Sequence, residues 1–424
     1  MIGYKYWWGD SNLIKTMFLG EEKYMRNKII GIFVCILLIT TCVGPVYGSM
    51  SASNVNKSST VEIPAKISII KEIKDILEVI ISIEEDIIKN SPSTVPVRSI
   101  AEFEPVDELV ITWPKWYSLQ IDGPKQEPYM IDLIKAAEDS VKVSINVDNS
   151  LIKTEIISKL KKKGIPLENI TFSLIRTNSM WCRDYGPFFI EKNGEISIVD
   201  FNYFGLTYRP IDNLFPTFFG IKNKINYNFN ANFFLCLSGG NYMTDGHGRA
   251  MICEKPLHEL NKNRFLTNDE IKNRLKSFLG LNEVYIFKSQ NDDGTGHIDM
   301  FSKLLDEHTV LVGAWNPLDV DYQILEGNAI NFSKLGFKVI RIPMLRDPKP
   351  ENKTIWSYTN SLIINGTHKK VVLVPQYNVP EDSVAISIYQ QAMPEYEIRG
   401  IDCRTIIPCY GAIHCTTITR PVIN

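Results

Sequence analysis

The sequence predicts an α/β fold in which one large unit fills most of the chain. From residue 99 onward, short runs rich in β-branched residues alternate with segments of helical periodicity. The 424 residues are 44% hydrophobic and 22% charged, which is ordinary for a globular protein. The alternation suits repeats of a small ββαβ-like unit. A formal net charge of −2 gives no electrostatic footprint for nucleic acid, so we expect no nucleic-acid partner.

Strands and helices are predicted in turn along this unit. The predicted strands are residues 109–112, 141–147, 170–175, 196–201, 284–287, 309–313, 339–342 and 371–375. The predicted helices are residues 128–139, 151–163, 268–279 and 385–393.

The N-terminal segment has the layout of a secretory leader. From Met25, basic Arg26 and Lys28 precede an apolar run of about fifteen residues, and small Gly48 follows. A membrane-spanning helix needs about twenty apolar residues, so the run is short for one. We expect residues 1–48 to be a leader with a signal peptide from Met25, and the protein to be secreted or attached to the cell surface. An uncleaved leader that holds the protein at the membrane is the alternative.

Residues 49–98 are predicted to connect the leader to the main unit. Residues 49–60 are rich in Ser, Asn and Lys, which is typical of a flexible spacer. Apolar residues then recur from Ile67 to Ile88 with Lys and Glu between them, which predicts an amphipathic helix. The segment S-P-S-T-V-P from Ser91 ends it, and we place the start of the main unit at residue 99. The oligomeric state is left open.

The cysteines do not form a disulfide-dense scaffold. Cys35 and Cys42 fall in the leader, and six cysteines remain in a large unit. Cys403 and Cys409 are near enough in sequence to form a bridge, which spacing alone does not establish.

Four side chains are candidates for chemistry. They are Asp184 in W-C-R-D-Y-G-P, His297 and Asp299 in G-H-I-D, and Cys415 in G-A-I-H-C. A nucleophilic Cys draws its base from a distant part of the chain, and His297 is the best candidate. In an extended segment, His297 and Asp299 would project from one face into one pocket. His414 would then point away from the Cys415 side, and we interpret it as structural.

Two carboxylates beside a thiol indicate a cationic substrate. Their charge raises the pKa of the thiol and repels the oxyanion that forms when a peptide bond is attacked, which disfavours a Cys-His protease or amidase. A guanidinium instead offers carboxylates a planar fork of N–H donors, and its charge favours the thiolate. Its carbon would then lie within reach of Cys415. The set therefore favours guanidine chemistry.

Six ordered motifs resemble the bacterial-type peptidylarginine deiminase and agmatine deiminase family. They are A-E-F-E-P-V-D-E-L-V-I-T-W-P from Ala101, W-C-R-D-Y-G-P from Trp181, S-G-G-N-Y-M-T-D-G from Ser238, G-H-I-D-M-F from Gly296, Y-T-N-S-L from Tyr358 and G-A-I-H-C from Gly411. The resemblance covers residues 99–424. It implies a five-bladed, pseudo-symmetric α/β propeller, the pentein fold, with a central active site.

The resemblance also implies hydrolytic deimination without a metal or an organic cofactor. Cys415 would attack the guanidinium carbon and form a thiouronium intermediate, while His297 acts as general acid and base. Asp184 and Asp299 would clamp the guanidinium nitrogens. The alternatives without a role in catalysis are a structural ion pair between Asp184 and Arg183, and an Asp299 that only orients His297.

Three further residues are assigned by matching position. Asn360 matches a position near the nucleophile, although a turn amide has the same appearance. Trp181 resembles a residue that packs on the aliphatic stem of the substrate, with core burial as the alternative. Members that act on arginine at a peptide C-terminus use paired arginines to hold the carboxylate, and here D-F-N-Y-F-G-L-T-Y-R-P-I-D-N offers only Arg209.

The expected reaction converts peptidylarginine to peptidylcitrulline and ammonia. The leader and the wording G-G-N-Y-M-T-D-G favour this branch. Agmatine deimination, which gives N-carbamoylputrescine and ammonia, is the alternative with the same chemistry. A non-catalytic guanidinium-binding or peptide-binding protein is the alternative from a different class, and the intact set of four reactive side chains disfavours it.

Overall fold

The computed structural model describes residues 96–114, 123–203, 209–230, 235–258, 263, 265–348 and 354–423. The predicted leader, the spacer and the helix of residues 67–88 lie outside the described residues. The first described strand, Val97–Ser99, crosses the predicted boundary at residue 99 and pairs with a strand of the main unit. Within the described ranges, no helix is both long enough and apolar enough to cross a bilayer.

Helices and strands alternate along the chain. The strands are β1 Val97–Ser99, β2 Pro105–Thr112, β3 Lys142–Val147, β4 Ile170–Leu174, β5 Phe188–Lys192, β6 Glu195–Asp200, β7 Asn226–Asn230, β8 Met243–Thr244, β9 Arg249–Cys253, β10 Glu283–Phe287, β11 Ser302–Leu304, β12 Thr309–Ala314, β13 Lys338–Arg346, β14 Ile355–Ser357, β15 Leu362–Gly366, β16 Lys370–Gln376, β17 Glu397–Asp402 and β18 Thr417–Pro421. The helices are α1 Gly123–Ala137, α2 Ser150–Lys162, α3 Cys182–Tyr185, α4 Phe215–Asn223, α5 Lys255–His258, α6 Asn268–Leu279, α7 Tyr322–Lys334 and α8 Glu381–Ala392.

One pattern of strand pairing recurs along the described chain. An antiparallel pair is followed by a helical crossover and a third strand that joins the second in parallel, as a parallel connection requires. The five sets are β18-β2-β3, β5-β6-β7, β8-β9-β10, β11-β12-β13 and β15-β16-β17. The predicted α/β class is therefore confirmed, and the recurring order is that of a ββαβ unit. The closed five-bladed arrangement stays a prediction.

The predicted elements lie where their periodicity indicates. Helix α6 spans the predicted range, because Thr267 and Glu270 form a capping box and Gly280 ends the helix at a φ of 65°. Its buried face carries Ile271 and Leu275, one turn apart. Helix α7 was not predicted. Its buried Asn328 bonds the backbone N–H and C=O of residue 288, which is a tertiary contact that sequence periodicity does not reveal.

The sheet strands that carry the site are deeply buried. Leu109 and Ile111 of β2, and Val143 and Ile145 of β3, are fully inaccessible to solvent in the largest apolar cluster. Strand β18, at the C-terminal end of the described chain, pairs antiparallel with β2. The residues just before β18 are therefore anchored to a rigid sheet. None of the six cysteines of the described ranges is in a disulfide bond.

Candidate active site

Cys415 lies in a short 3₁₀ turn, His414–Thr416, that leads directly into β18. Asn360, in the turn before β15, organises this segment. Its Oδ1 accepts hydrogen bonds from the Ala412 N–H at 2.9 Å and the Cys415 N–H at 3.4 Å. Its Nδ2 donates to the Cys415 Sγ at 3.2 Å. The predicted position of Asn360 near the nucleophile is therefore what the structure has.

The electrostatic surroundings of the Cys415 thiol favour its neutral form. The residue is only 2% exposed. Burial raises the pKa of the Cys415 thiol well above its usual value, and the Asp299 and Asp184 carboxylates raise it further, while the hydrogen bond from Asn360 opposes them. A cation bound beside the carboxylates would offset these effects and favour the thiolate.

Asp184 is presented by the short helix α3. Its flanking residues Cys182 and Tyr185 are buried and hold the helix in the core. The Asp184 Oδ1 accepts a hydrogen bond from the Gly240 N–H at 3.3 Å and lies 3.5 Å from the His297 Nδ1.

Arg183 forms its described ion pair with Glu102, whereas the alternative drawn from the sequence was an ion pair with Asp184. Its Nη2 lies 3.7 Å from Glu102 Oε2, and its Nε donates to the His414 carbonyl at 3.4 Å. The described ion pair of Arg183 is thus with Glu102, and Asp184 faces the opposite cluster of residues around Gly240.

His297 and Asp299 share a site for a different reason from the predicted one. The prediction that this segment is extended was wrong. His297 is the N-cap residue of a 3₁₀ turn, Ile298–Met300, that contains Asp299. Both side chains nevertheless face Gly240. A Cβ on Gly240 would lie 2.7 Å from His297 Nδ1, 2.8 Å from Asp184 Oδ1 and 3.1 Å from Asp299 Oδ2. The absent side chain of Gly240 therefore lets three polar groups converge.

Two atoms in this cluster are buried without a hydrogen-bond partner among the described residues. They are His297 Nδ1 and Asp299 Oδ1. Buried polar atoms are almost always satisfied, so these two atoms would suit a water molecule or a polar ligand. The other Asp299 oxygen, Oδ2, lies 3.6 Å from the Cys415 Sγ. The unsatisfied oxygen of Asp299 is thus available to a group that binds next to the thiol.

His414 contacts the site directly, which corrects the sequence interpretation. The 3₁₀ turn brings its Nδ1 to 2.7 Å from the Asp299 Oδ2, and its Nε2 lies 2.5 Å from Glu102 Oε2. Glu102 also accepts a hydrogen bond from Lys303 Nζ at 2.7 Å. The prediction that His414 points away from the site was wrong because it assumed an extended segment.

Trp181 lies against the nucleophile. It is 6% exposed, and a Cβ on Gly411 would lie 2.9 Å from both its Cζ3 and the Cys415 Sγ. The structure therefore shows the core burial of Trp181 and its closeness to Cys415, while contact with the stem of a substrate stays a prediction. Gly411, like Gly240, leaves space beside the reactive atoms.

Arg209 lies in a neighbouring polar cluster. It is 8% exposed, and its Nη1 lies 3.4 Å from the Tyr203 hydroxyl. Burial raises the pKa of the Tyr203 hydroxyl, the Asp184 carboxylate adds to this, and Arg209 opposes it. Burial also raises the pKa of Asp212, to about 6, while hydrogen bonds from Ser179 and the charge of Arg209 act in the other direction. Arg209 is therefore electrostatically linked, through Tyr203, to the Asp184 side of the site.

A cavity of about 100 Å³ adjoins the carboxylate cluster. Its charged lining consists of Glu102, Arg183, Asp299, Lys303 and His414. No group of three or more His, Cys, Asp or Glu side chains in the described ranges has an arrangement that could hold a metal ion.

Glu102, Gly240 and His414 were not predicted as functional residues. Each lies inside a motif that the sequence comparison had quoted, namely A-E-F-E-P, S-G-G-N and G-A-I-H-C. The only sequence signal for Glu102 is its place in the first of the six motifs, where an acidic side chain could have been considered as a site residue. Its contact with His414 spans 312 positions, and no local pattern encodes it.

The fold and these side chains define an α/β protein with a thiol, an imidazole and carboxylates at one site. The chain matches the family model of the Porphyromonas-type peptidyl-arginine deiminases over residues 98–421. It therefore belongs to that family. It is 25% identical over 377 residues to the agmatine deiminase of Pseudomonas aeruginosa. This match covers 78% of this chain and 98% of that protein.

Solved structures share the fold. A Porphyromonas gingivalis protein, whose structure is described as that of a provisionally assigned arginine deiminase, is 25% identical to this chain, with a TM-score of 0.66. The match covers 77% of this chain and 98% of that protein. The agmatine deiminase of C. jejuni with substrate bound is 22% identical with a TM-score of 0.68, covering 76% and 96%.

Proposed function

We propose that this protein hydrolyses the guanidinium of arginine to a ureido group and releases ammonia, with Cys415 as nucleophile. One observation carries the proposal. His297, Asp184 and Asp299 converge on the space beside Gly240, and Asp299 also contacts the Cys415 thiol. A guanidinium matches this set, because its N–H groups donate to carboxylates and its carbon is the electrophile.

The proposed reaction has two stages. His297 takes the proton of the Cys415 thiol, the thiolate forms a C–S bond to the guanidinium carbon, and the adduct loses ammonia as His297 returns that proton to the departing nitrogen. Water then adds to the thiouronium carbon while His297 accepts a proton. The C–S bond breaks, which returns the thiolate and leaves the ureido product.

The substrate contributes to its own activation in this scheme. Burial and two carboxylates raise the pKa of the Cys415 thiol and so favour its neutral form before the substrate binds. A guanidinium held by Asp184 and Asp299 brings a positive charge next to the sulfur and lowers the cost of forming the thiolate. A neutral amide would not, which disfavours proteolysis.

We further propose that the substrate is a peptidylarginine that carries a carboxylate near the reacting side chain. Arg209 supports this, since a buried guanidinium on the Asp184 side of the site suits an anionic group. Agmatine has no carboxylate. Agmatine deimination remains the second candidate, because the Pseudomonas aeruginosa and C. jejuni relatives are agmatine deiminases.

The deciding experiment offers the purified protein agmatine, free arginine, and peptides with an internal or a C-terminal arginine. Ureido and ammonia formation are measured. Preference for a peptide supports the proposal, and preference for agmatine replaces it with the second candidate. No turnover of any of the four favours the guanidinium-binding protein. Cys415→Ala should abolish turnover but retain measurable guanidinium binding.

Arg209→Ala separates the two substrates. We expect kcat/KM for a C-terminal arginine peptide to fall by at least about ten-fold, which is the range for one buried charge-assisted contact, with a much smaller effect on agmatine. Arg404→Ala is the matched control, because Arg404 forms an exposed ion pair with Asp402. Equal losses on both substrates would remove Arg209 from recognition of the carboxylate.

Secretion through the leader is also proposed, on the sequence layout alone. N-terminal sequencing of protein recovered from the medium or the cell surface tests it. A mature N-terminus near residue 49 supports cleavage, and retention of residues 25–48 in membranes supports the anchor.

A further inference from the structure

We propose that His414 is a positioning residue, held as an imidazolium between Asp299 and Glu102, which orients Asp299 and keeps Cys415 reactive. The proposal depends on the proposed function only in taking Cys415 as the nucleophile. Its evidence is the chain of contacts that runs from the thiol to Asp299, then to His414 and Glu102.

The contacts of His414 define its protonation state. Its Nδ1 lies 2.7 Å from Asp299 Oδ2 and its Nε2 lies 2.5 Å from Glu102 Oε2. An ionised carboxylate only accepts hydrogen bonds, and a neutral imidazole has a single N–H donor. With Asp299 and Glu102 both ionised, the two contacts are satisfied together only when both ring nitrogens carry a proton.

The surrounding charges keep Glu102 ionised. Lys303 Nζ donates to its Oε1 at 2.7 Å, and the Ile363 N–H donates to the same oxygen at 3.0 Å. Burial opposes ionisation of Glu102, but the charges of Lys303, His414 and Arg183 outweigh it and hold the pKa of this carboxyl well below its usual range. Glu102 is therefore an acceptor toward the Nε2 of His414.

Asp299 is the route by which His414 acts. Burial opposes ionisation of Asp299, yet the hydrogen bond and charge of His414, with further contributions from His297 and Lys303, lower its pKa. The bond to Oδ2 fixes the plane of the carboxylate. Oδ1, which has no partner in the described structure, is then presented to the substrate.

The same arrangement affects the thiol. Asp299 Oδ2 lies 3.6 Å from the Cys415 Sγ, and its charge raises the pKa of that thiol. The imidazolium on the other side of Oδ2 partly compensates that charge. The remaining charged groups near the sulfur and His414 are Asp184, His297, Lys303 and Arg183, and the proposed substitution leaves all of them in place.

Glu102→Gln tests the charge of His414 with little change in shape. Gln Oε1 still accepts from Lys303 and Ile363, while its amide nitrogen donates to the His414 Nε2 and thereby permits a neutral ring. The substitution removes the Glu102 carboxylate and the imidazolium together. Because the ring contacts Asp299, beside the sulfur, while Glu102 lies on the far side of the ring, the loss of the positive charge should dominate and raise the pKa of the thiol. We expect the rate of Cys415 alkylation by iodoacetamide, without substrate at about pH 8, to fall roughly ten-fold, as a shift of one pKa unit predicts.

Two further variants protect this test against a folding defect. The double variant Glu102→Gln with His414→Asn removes the ring without leaving the Glu102 carboxylate unpaired, and the Asn amide nitrogen can take the place of Nδ1 as donor to Asp299. This variant should slow alkylation equally. His247→Gln is the matched control, because His247 forms an exposed ion pair with Glu307, and should leave alkylation unchanged. Thermal unfolding identifies the variants that fold. Unchanged alkylation in a folded Glu102→Gln or double variant overturns the proposal.

A measurement on the unaltered protein gives an independent answer. Histidine-selective ¹⁵N spectra distinguish protonated from unprotonated ring nitrogens, and ordinary histidines are neutral at about pH 8. We expect one of the six histidines to keep both ring protons at that pH. Six neutral rings would overturn the proposal. Neither experiment uses a guanidinium substrate, so a failure here is distinct from a failure of the proposed function.

Discussion

Replacing Gly240 by Ala tests whether the convergence of polar groups is the active site. Gly240 provides no side chain where His297, Asp184 and Asp299 meet. A methyl group there would lie 2.7 Å, 2.8 Å and 3.1 Å from their respective polar atoms. An ordinary contact with carbon needs about 3.5 Å, so the three groups must retreat by roughly 0.4–0.8 Å.

The expected cost is larger for turnover than for stability. A displacement of about 1 Å can reduce catalysis about 100-fold, so a shift of half that size should lower kcat/KM by about 10- to 100-fold. Overpacking a well-ordered interior costs about 1–3 kcal/mol. The methyl also occupies the space that the guanidinium would take, so binding should weaken as well.

The assay compares Gly240→Ala with Gly327→Ala. Gly327 lies inside helix α7 and has nothing within 4 Å of the position of a new Cβ. Gly327→Ala should therefore raise the free energy of unfolding by about 0.5–1 kcal/mol and leave kcat/KM unchanged. Wild-type kcat/KM in a folded Gly240→Ala protein would refute the assignment of the substrate position to this space.

Three further predictions concern other parts of the molecule. Asn360→Asp should keep the acceptor for the Ala412 N–H but place a carboxylate 3.2 Å from the Cys415 Sγ, so iodoacetamide alkylation should slow by at least about ten-fold with little change in far-UV circular dichroism. Gly280→Ala should destabilise the fold by about 2 kcal/mol or more, measured by urea unfolding, because a Cβ at φ 65° would overlap the backbone of residue 97, while kcat/KM stays unchanged. Asp139→Asn should lower the free energy of unfolding by about 1 kcal/mol or less at pH 7, since its carboxylate is partly exposed. Hydrogen bonding to Arg399 lowers the pKa of Asp139 from 3.8 to about 2, so this stabilisation is present above about pH 4 and is lost as the pH falls through about 2. A difference between wild type and Asp139→Asn that does not shrink as the pH falls from 4 through 2 would contradict the ion-pair explanation.

Regular elements of this protein were accessible from sequence because their causes are local. The helix of residues 268–279 has its capping residues and its apolar stripe within one short segment. The predicted strands are runs of β-branched residues that became buried in sheets. Helix α7 was missed because its Gly327 and Asn328 weaken the local signal, and only the contact of Asn328 with residue 288 explains them.

The turns at the site were not accessible in the same way. The segments G-H-I-D and G-A-I-H-C were interpreted as extended, but both contain 3₁₀ turns. Asn360 imposes the second turn through contacts with Ala412 and Cys415 that span 52 and 55 positions. Such contacts have no local signature. The error over His414 followed directly from this.

The sequence by itself determined the α/β class, four of the eight described helices, eight of the eighteen described strands, the family and the chemical identity of the thiol, imidazole and carboxylates, because each of these depends on residue type and short-range periodicity. Only the tertiary structure decided how those groups face one another. His414 reaches Asp299 across 115 positions and Glu102 across 312, and Gly240 leaves the space between the reactive atoms. These arrangements are products of packing, in which many distant contacts fix one geometry together, and that information is distributed over the whole chain.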